Sequence, residues 1–250
     1  MDKFNLVDDY MLSRLGTQNT NDSLTIIETK KRHGCEASYG YISMIWIVKF
    51  TKGSVVASVP SNTSDDIKSF IVDNIEKYDI ADVLFTSQLK KLADMEARKI
   101  FGKSSCNCFN SLIFACNSET ILPADKNVHA VKINDKSFEC CEDINFPDHC
   151  LPNGTIYAVV EDNKIVSLAH AHKTGKYQDI VADIGVDTSR NHRRKGYARE
   201  CVNSVARHYI DNGGESIYTC SMDNTASIRT AISAGYRLYG KSLIFSVVID

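Results

Sequence analysis

The sequence predicts a mixed α/β protein, and three observations lead to that prediction. Apolar runs of strand length, bounded by turn residues, occur in both halves of the chain. Segments whose apolar residues recur at helical spacing lie between them. The composition, 43% hydrophobic and 24% charged over 250 residues, is typical of a globular protein. This length suits one large domain or two smaller ones, and we expect two, residues 1–125 and 126–250.

The first half is predicted to form an α/β unit that contains a β-hairpin. The apolar runs over residues 43–50 and 54–60 flank the turn sequence TKG. A helix is predicted to start at Ser64 or Asp65, which are suitable N-cap residues, because apolar residues then recur at helical spacing. The other elements predicted here are helices over 2–15 and 87–101 and a strand over 110–117, and a further strand is predicted over 127–135, just after the domain boundary.

The second half is predicted to start with another hairpin, over residues 154–161 and 165–173, around the turn sequence DNK. A third strand over 177–186 follows. Its alternation places Ile184 on one face and Asp183 and Asp179 on the other. Gly185, near the end of this strand, indicates a bulge or the close approach of another group. The remaining predicted elements are a helix over 194–211, a strand over 216–222, a helix over 224–234 and a strand over 241–249.

A cluster of cations lies where the chain leaves the third strand and enters the helix. The stretch RNHRRKGYARE, residues 190–200, is basic although the whole chain has a net charge of −2. The near-neutral balance gives no general field that would attract nucleic acid. At a helix start, by contrast, unpaired N–H groups and the helix dipole favour an anion. Gly196 would let the backbone approach a phosphate closely, so we expect a small phosphate-bearing ligand here.

The same stretch resembles a known family. Residues 193–198, RRKGYA, resemble the Arg/Gln-x-x-Gly-x-Gly/Ala motif of the GCN5-related N-acetyltransferases (GNAT), and the strand before it and the helix after it match the family pattern. Residues 224–236 resemble the second family signature, with Asn224, Ser227, Gly235 and Tyr236 at its positions. The resemblance covers about 127–250. It implies a GNAT fold, a mostly antiparallel sheet flanked by helices, with the first half a degenerate copy or an accessory unit.

The resemblance also implies acetyl-coenzyme A as co-substrate. Backbone groups of 184–186 would pair with its pantetheine arm, and N–H groups of 194–199 would hold its pyrophosphate, with two arginines adding charge-assisted bonds. Two polar side chains would line the thiol end. The cofactor-binding residues implied in this way are Ile184, Gly185, Val186, Arg193, Arg194, Lys195, Gly196, Tyr197, Ala198, Arg199, Asn224 and Ser227.

The catalytic residues follow less directly. The acceptor amine must be neutral when it attacks, so a base is needed. Asp183 and Asp179 could act directly or through water, or be solvated strand residues. His170 shares a strand face with His172 and could bind substrate or relay a proton, or serve in packing.

One departure concerns the general acid. Family members often carry a tyrosine four residues after the position of Ser227, and this chain has Ala231 there. The coenzyme A thiolate would then leave unprotonated, or another group such as Tyr218 would protonate it.

The sequence therefore predicts an acetyl-coenzyme A-dependent N-acetyltransferase acting on a small-molecule amine. Protein acetylation and a non-catalytic acyl-coenzyme A sensor stay open as alternatives, as does a homodimer. A cytoplasmic location without membrane contact is expected, because no apolar run reaches about 20 residues and the N-terminus lacks a basic segment. The spacing of Cys140, Cys141, His149 and Cys150 matches no familiar zinc pattern, so no metal is expected.

Overall fold

A computed structural model describes residues 3–20, 22–34, 40–124, 127, 129–151 and 154–248, except for the side chain of His149. It confirms a mixed α/β fold with a mostly antiparallel sheet and flanking helices. In chain order the helices and strands are α1 (Asn5–Leu15), β1 (Leu24–Thr29), β2 (Tyr41–Phe50), β3 (Val55–Pro60), α2 (Asp65–Asn74), α3 (Val83–Phe101), β4 (Asn107–Cys116), β5 (Val131–Lys132), β6 (Glu139–Cys140), β7 (Ile156–Glu161), β8 (Lys164–His172), β9 (Val181–Thr188), α4 (Tyr197–Ile210), β10 (Glu215–Ser221), α5 (Thr225–Ala234) and β11 (Arg237–Val248).

The chain forms two compact units that are each discontinuous in sequence. The first unit takes the described residues up to Tyr10 together with Phe114–Leu238, and the second takes Met11–Ile113 together with the residues from Tyr239 onward. The domain boundary predicted between residues 125 and 126 falls on two residues outside the described part of the chain, so that division stays a prediction.

The second unit contains the predicted hairpin. β2 and β3 pair antiparallel, from Trp46↔Ser58 to Lys49↔Val55, and β11 pairs antiparallel with β2. Strand β1, which pairs parallel with β3, was not predicted. Helix α3 starts at residue 83 rather than at the predicted 87, because the Asp82 side chain accepts the backbone N–H of Leu84 and caps the helix. Buried apolar side chains of this sheet and of α2 and α3 form the core of the unit.

The first unit carries the residues predicted to bind the cofactor. Its strands are ordered β10-β9-β8-β7-β5. β7, β8 and β9 pair antiparallel in succession, whereas β10 runs parallel to β9. Helix α4 packs against β7, β8 and β9. Strand β5 has only two residues, both exposed, instead of the nine predicted over 127–135. None of the helices in the described part of the chain is long and apolar enough to cross a membrane.

Two boundaries in this unit correct the sequence prediction and affect the site. Strand β9 starts at Val181 rather than at 177, because Gly175–Tyr177 forms a 3-10 helix and Ile180 N–H bonds the Tyr177 carbonyl at 3.0 Å. Helix α4 starts at Tyr197 rather than at 194, because Gly196 adopts φ +84° as its N-cap. The chain between β9 and α4 is therefore a loop, which contains a short 3-10 helix, Arg190–His192.

Candidate functional site

Strands β9 and β10 pair over only part of their length. Their parallel register runs from Glu215↔Val181 to Tyr218↔Ile184, although β9 continues to Thr188 and β10 to Ser221. On its other edge β9 stays paired with β8 as far as Thr188. The two strands therefore form a fork beyond Ile184 and Tyr218. An extended ligand could pair with the edge of β9 at this fork, as an added strand would.

A cavity of about 770 Å³ lies at this fork. The end of β9, the loop after it, the first turn of α4, Tyr218 and helix α5 line the cavity. Ile184, Gly185 and Lys195, which were also predicted to bind cofactor, do not line it. The predicted cofactor residues that do are Val186, Arg193, Arg194, Gly196, Tyr197, Ala198, Arg199, Asn224 and Ser227.

Residues 188–199 comprise the end of β9, the loop and the first turn of α4, and are here called the anion loop. Two of these residues lie in the left-handed backbone region. They are Gly196, at φ +84°, and Arg194, at φ +64°. A Cβ built on Gly196 would meet no atom within 4 Å, so this position needs glycine for its backbone angle and not for lack of space. For Arg194 the left-handed conformation costs about 1–2 kcal/mol. Strain of this kind is concentrated at functional sites.

Helix α4 begins in a way that favours an anion. The N–H of Glu200 donates to the Gly196 carbonyl at 3.1 Å, which is the first helical bond. The N–H groups before it in the first turn have no carbonyl of their own helix to bond, and the helix dipole places positive potential there. Because the cavity is lined by Gly196, Tyr197 and Ala198 of this turn, a phosphate in the cavity would meet these groups.

The anion loop is tied to the β7–β8 hairpin through Glu161, a residue that the sequence analysis missed. The Tyr197 hydroxyl donates to Glu161 Oε1. Lys195 Nζ and His192 Nε2 lie 3.5 Å and 3.4 Å from Glu161 Oε2. The hydrogen bond from Tyr197 is the main cause that lowers the pKa of the Glu161 carboxyl. Lys195 therefore contacts protein rather than the cavity.

Three arginines of the anion loop line the cavity, and two of them also donate hydrogen bonds to backbone carbonyls. Arg193 Nε donates to the Thr188 carbonyl at 3.3 Å, and an Arg199 amino group donates to the Pro123 carbonyl at 3.1 Å. Both still line the cavity, as does Arg194. Arg229 on α5 also lines the cavity, and nothing in the local sequence pattern had indicated it.

The α5 side of the cavity is held by a small polar network. Asn224 caps α5, because its side-chain oxygen accepts the N–H of Ser227 at 3.1 Å. That leaves the NH₂ of its amide as the part that could donate to a ligand. Ser227 also hydrogen-bonds the phenol of Tyr218, and burial raises the pKa of Tyr218 to about 12. Ala231, where family members often carry tyrosine, is fully buried.

Two imidazoles cover Gly185. His170 pairs with Gly185 across β8 and β9, and the rings of His170 and His172 lie 4.5 Å apart, edge to face. A Cβ on Gly185 would lie 2.5 Å from His170 Cε1 and 2.9 Å from His172 Nε2. The close approach that the sequence predicted at Gly185 is therefore made by these two rings.

Asp183 lies on the same sheet face as the two histidines. It is opposite His172 in the register of β8 and β9, and its Oδ2 accepts the hydroxyl of Tyr10 at 2.9 Å. Alternation along the strand turns Ile184 and Val186 to the other face. We call Asp183, His170, His172 and Tyr10 the acceptor cluster, and it brings together two of the three residues predicted to be catalytic.

The third of these residues, Asp179, is not where the sequence predicted. It was expected on the strand face beside Asp183, but β9 begins only at Val181, and Asp179 lies exposed in the turn before it. Asp179 lines a separate cavity of about 370 Å³ with His208, Tyr209 and Asn212. Burial is the main cause that lowers the pKa of His208 there. In the described part of the chain, no group of three His, Cys, Asp or Glu side chains could hold a metal; the side chain of His149, part of the cysteine-rich cluster noted in the sequence, lies outside it.

Comparison with known proteins identifies a family over part of the chain. A model described as the acetyltransferase (GNAT) family matches residues 127–236, a little less than half of the chain. No curated protein sequence matches this chain.

Similar solved structures include three acetyltransferases. One is a GNAT-family acetyltransferase from Novosphingobium aromaticivorans, with 16% identity over 58% of this chain and 66% of that chain and a TM-score of 0.44. A second, a GNAT-family acetyltransferase from Colwellia psychrerythraea, has 14% identity over 76% of this chain and 75% of that chain and a TM-score of 0.44. The third is the microcin C7 self-immunity acetyltransferase MccE in complex with acetyl-CoA and AMP. It has 21% identity over 41% of this chain and 64% of that chain and a TM-score of 0.32. Because all three scores lie below 0.5, the assignment rests on the family model.

Proposed function

Since residues 127–236 of this chain are an acetyltransferase (GNAT) domain, we propose that the protein is an N-acetyltransferase that takes the acetyl group from acetyl-coenzyme A. The observation that carries the proposal is the joint position of three features in one cavity. These are the fork between β9 and β10, the anion loop with its left-handed Gly196, and the polar network on α5. The size of the cavity, about 770 Å³, suits a ligand as large as a cofactor.

The residues present fit the parts of this co-substrate. The N–H groups at the start of α4, with Arg193 and Arg194, would bind the pyrophosphate. The edge of β9 beyond Ile184 would pair with the amide groups of the pantetheine arm. Acetyl-coenzyme A supplies an activated acyl carbon, and the remaining tasks fall to the protein: binding this group, holding the acceptor and moving the proton.

The proton is taken, in this proposal, at the acceptor cluster. Asp183 is a carboxylate within the same sheet face as two imidazoles, and a carboxylate or an imidazole can accept a proton from an ammonium group. Tyr218 lines the cavity, and its pKa of about 12 keeps it protonated near neutral pH. It can therefore donate a hydrogen bond to the leaving sulfur, while proton transfer from so weak an acid to a thiolate would be uphill.

We propose a small-molecule amine as acceptor. A cytoplasmic location is part of the same proposal. Nucleic acid is not expected as a partner, because the net charge of −2 provides no general attraction. A non-catalytic acyl-coenzyme A sensor is the second candidate, and the observation in its favour is the buried Ala231 at the position of the usual tyrosine.

The test is an assay of thiol release from acetyl-coenzyme A in the presence of single amines. Spermidine, histamine, glucosamine and a lysine-containing peptide cover the acceptor classes, and coenzyme A binding is measured by calorimetry on the same preparation. We expect binding and turnover with at least one small amine. Turnover with the peptide alone would favour protein acetylation. Binding without turnover on any amine would favour the sensor, and no binding would overturn the proposal.

A further inference from the structure

The start of α1 belongs to the same compact unit as residues 127–236, the acetyltransferase (GNAT) domain, although more than 100 residues separate the two in sequence. The backbone N–H of Val7 donates to Glu215 Oε2, at the start of β10, at 2.9 Å. Glu215 is buried, and this burial is the main cause that raises the pKa of its carboxyl. Hydrogen bonds from the N–H groups of Val7, Leu6 and Asn5 act in the opposite direction and lower this pKa. A carboxylate at the first turn of a helix stabilises it, so the N-terminus of α1 is fixed to β10.

The next turn of α1 is fixed to the chain just before β9. The ring of Tyr10 packs edge to face against Tyr177, with centroids 5.6 Å apart. The Tyr177 hydroxyl donates to the Asp9 carbonyl at 3.1 Å. Tyr10 is 4% exposed. Burial and the contact with the Tyr177 ring therefore restrict the orientation of the Tyr10 side chain.

That orientation directs the Tyr10 hydroxyl to the Oδ2 atom of Asp183, at 2.9 Å. A hydrogen bond to one carboxylate oxygen restricts the rotation of the whole group, so the bond from Tyr10 fixes the direction in which the lone pairs of Asp183 point. Asp183 lies two residues before Gly185, where the imidazoles of His170 and His172 pack over the backbone at the start of the fork.

We propose that Tyr10 is a positioning residue of the acetyl-transfer site, and that its hydrogen bond orients Asp183 to take a proton from the acceptor amine. The inference rests on the proposed function. Asp183 removes one proton from the ammonium group, and the nitrogen keeps the electron pair of that bond. The neutral amine then bonds to the acyl carbon as the carbon–sulfur bond breaks, and its surplus proton leaves with the sulfur as thiol.

The experiment compares Tyr10→Phe with Tyr177→Phe in the full chain. Tyr10→Phe removes only the hydroxyl that reaches Asp183 and keeps the ring. Tyr177→Phe removes the neighbouring hydroxyl, whose bond goes to the backbone of the same helix, and so controls for loss of a bond to α1. Turnover is measured with spermidine, histamine and glucosamine, and coenzyme A affinity is measured by calorimetry.

For Tyr10→Phe we expect kcat to fall by roughly tenfold, because small misplacements of a catalytic group cost up to about 100-fold. The KM for acetyl-coenzyme A and the affinity for coenzyme A should not change. Tyr177→Phe keeps the ring contact with Tyr10, so it should lower kcat by clearly less than Tyr10→Phe does. In an Asp183→Asn background, Tyr10→Phe should have no further effect on kcat, since residues that act as one unit are not additive. A purely structural role for Tyr10 would not produce this loss of effect.

Each other outcome has a definite consequence. Equal kcat for Tyr10→Phe and wild type would overturn the inference and leave the proposed function standing. An equal tenfold loss in the Asp183→Asn background would also overturn it, because Tyr10 would then act without Asp183. Wild-type protein that binds coenzyme A but acetylates none of the amines would overturn the proposed function and this inference together.

Discussion

The anion loop and the acceptor cluster are built in different ways, although both lie in the same unit. The loop offers backbone N–H groups at the start of α4, and two left-handed residues, Arg194 and Gly196, set its shape. The acceptor cluster offers side chains, and they come from α1, β8 and β9. Substitutions that change backbone angles should therefore affect cofactor binding most, whereas substitutions of side chains in the cluster should affect turnover.

The largest expected effect is on the loop, from Gly196→Val. Valine at φ +84° is strained, and its side chain would project into space that is open in the structure and borders the cavity. Charge-assisted hydrogen bonds contribute about 1.5–3 kcal/mol each, so losing two of them should weaken coenzyme A binding by about 100-fold or more. Calorimetric titration with coenzyme A checks this, and unchanged affinity in the folded variant would refute the phosphate assignment.

The chain contains a matched control for that strain. Gly213, after α4, has φ +82°, and a Cβ built on it would also meet no atom within 4 Å, but this glycine does not line the cavity. Gly213→Val should therefore lose a similar stability, about 1–2 kcal/mol, and keep the wild-type coenzyme A affinity. If both variants lost affinity equally, the effect would come from general destabilisation.

A glycine substitution beside the acceptor cluster, at Gly185, should behave differently. Gly185→Ala places a Cβ 2.5 Å from His170 Cε1, so at least one imidazole must move. Overpacking of this kind costs typically about 1–3 kcal/mol, and moving the ring away should lower kcat by roughly tenfold. The backbone groups predicted to pair with the cofactor are retained in alanine, so coenzyme A affinity should change little.

A double variant combines Gly185→Ala with His170→Ala. Removing the His170 ring removes the shorter of the close contacts, so the double variant should regain thermal stability relative to Gly185→Ala, as expected for residues in contact. Turnover should not recover if His170 contributes to catalysis. A double variant that regains both stability and turnover would assign His170 to packing.

The two regions also differ in how far the sequence could predict them. The placement of Gly196 between a strand and an amphipathic helix depends only on neighbouring residues, so it was visible in the sequence, although the contact of the loop with Glu161 was not. The acceptor cluster depends on pairs such as Tyr10 and Asp183, which are 173 positions apart. No local sequence pattern indicates that Tyr10 contacts Asp183, and the pattern around Tyr10 predicts only a short helix.

The errors have local causes as well. Asp179 was expected on the strand beside Asp183 because the alternation of side chains extends back to residue 177. The 3-10 helix Gly175–Tyr177 instead delays the start of β9, and Asp179 remains in the turn. The hairpin of β7 and β8 was predicted correctly, but the role of its last carboxylate, Glu161, depends on where the anion loop folds. The family motif specifies the loop and not its partner.

The smallest expected effect tests that partner. Glu161→Gln keeps an acceptor for the Tyr197 hydroxyl but loses the charge that attracts His192 and Lys195. Ion pairs at this exposure contribute about 0–1 kcal/mol, so coenzyme A affinity should fall by only about two- to fivefold. The coenzyme A affinity should fall further in Glu161→Ala, which also loses the hydrogen bond from Tyr197. Tyr197→Phe should lower the affinity by the difference between the effects of Glu161→Ala and Glu161→Gln.

The direction of the Glu161→Gln result decides what the carboxylate does. The pKa of Glu161 is lowered, so its contribution to loop stability is present above its ordinary value, 4.5, and disappears only as the pH falls through the lower value in the folded protein. Neutral pH therefore compares a charged Glu161 with an uncharged glutamine. Weaker binding means that Glu161 holds the loop in its binding conformation. Tighter binding would mean that the freed Lys195 reaches the phosphate, and that Glu161 withholds this cation from the cavity.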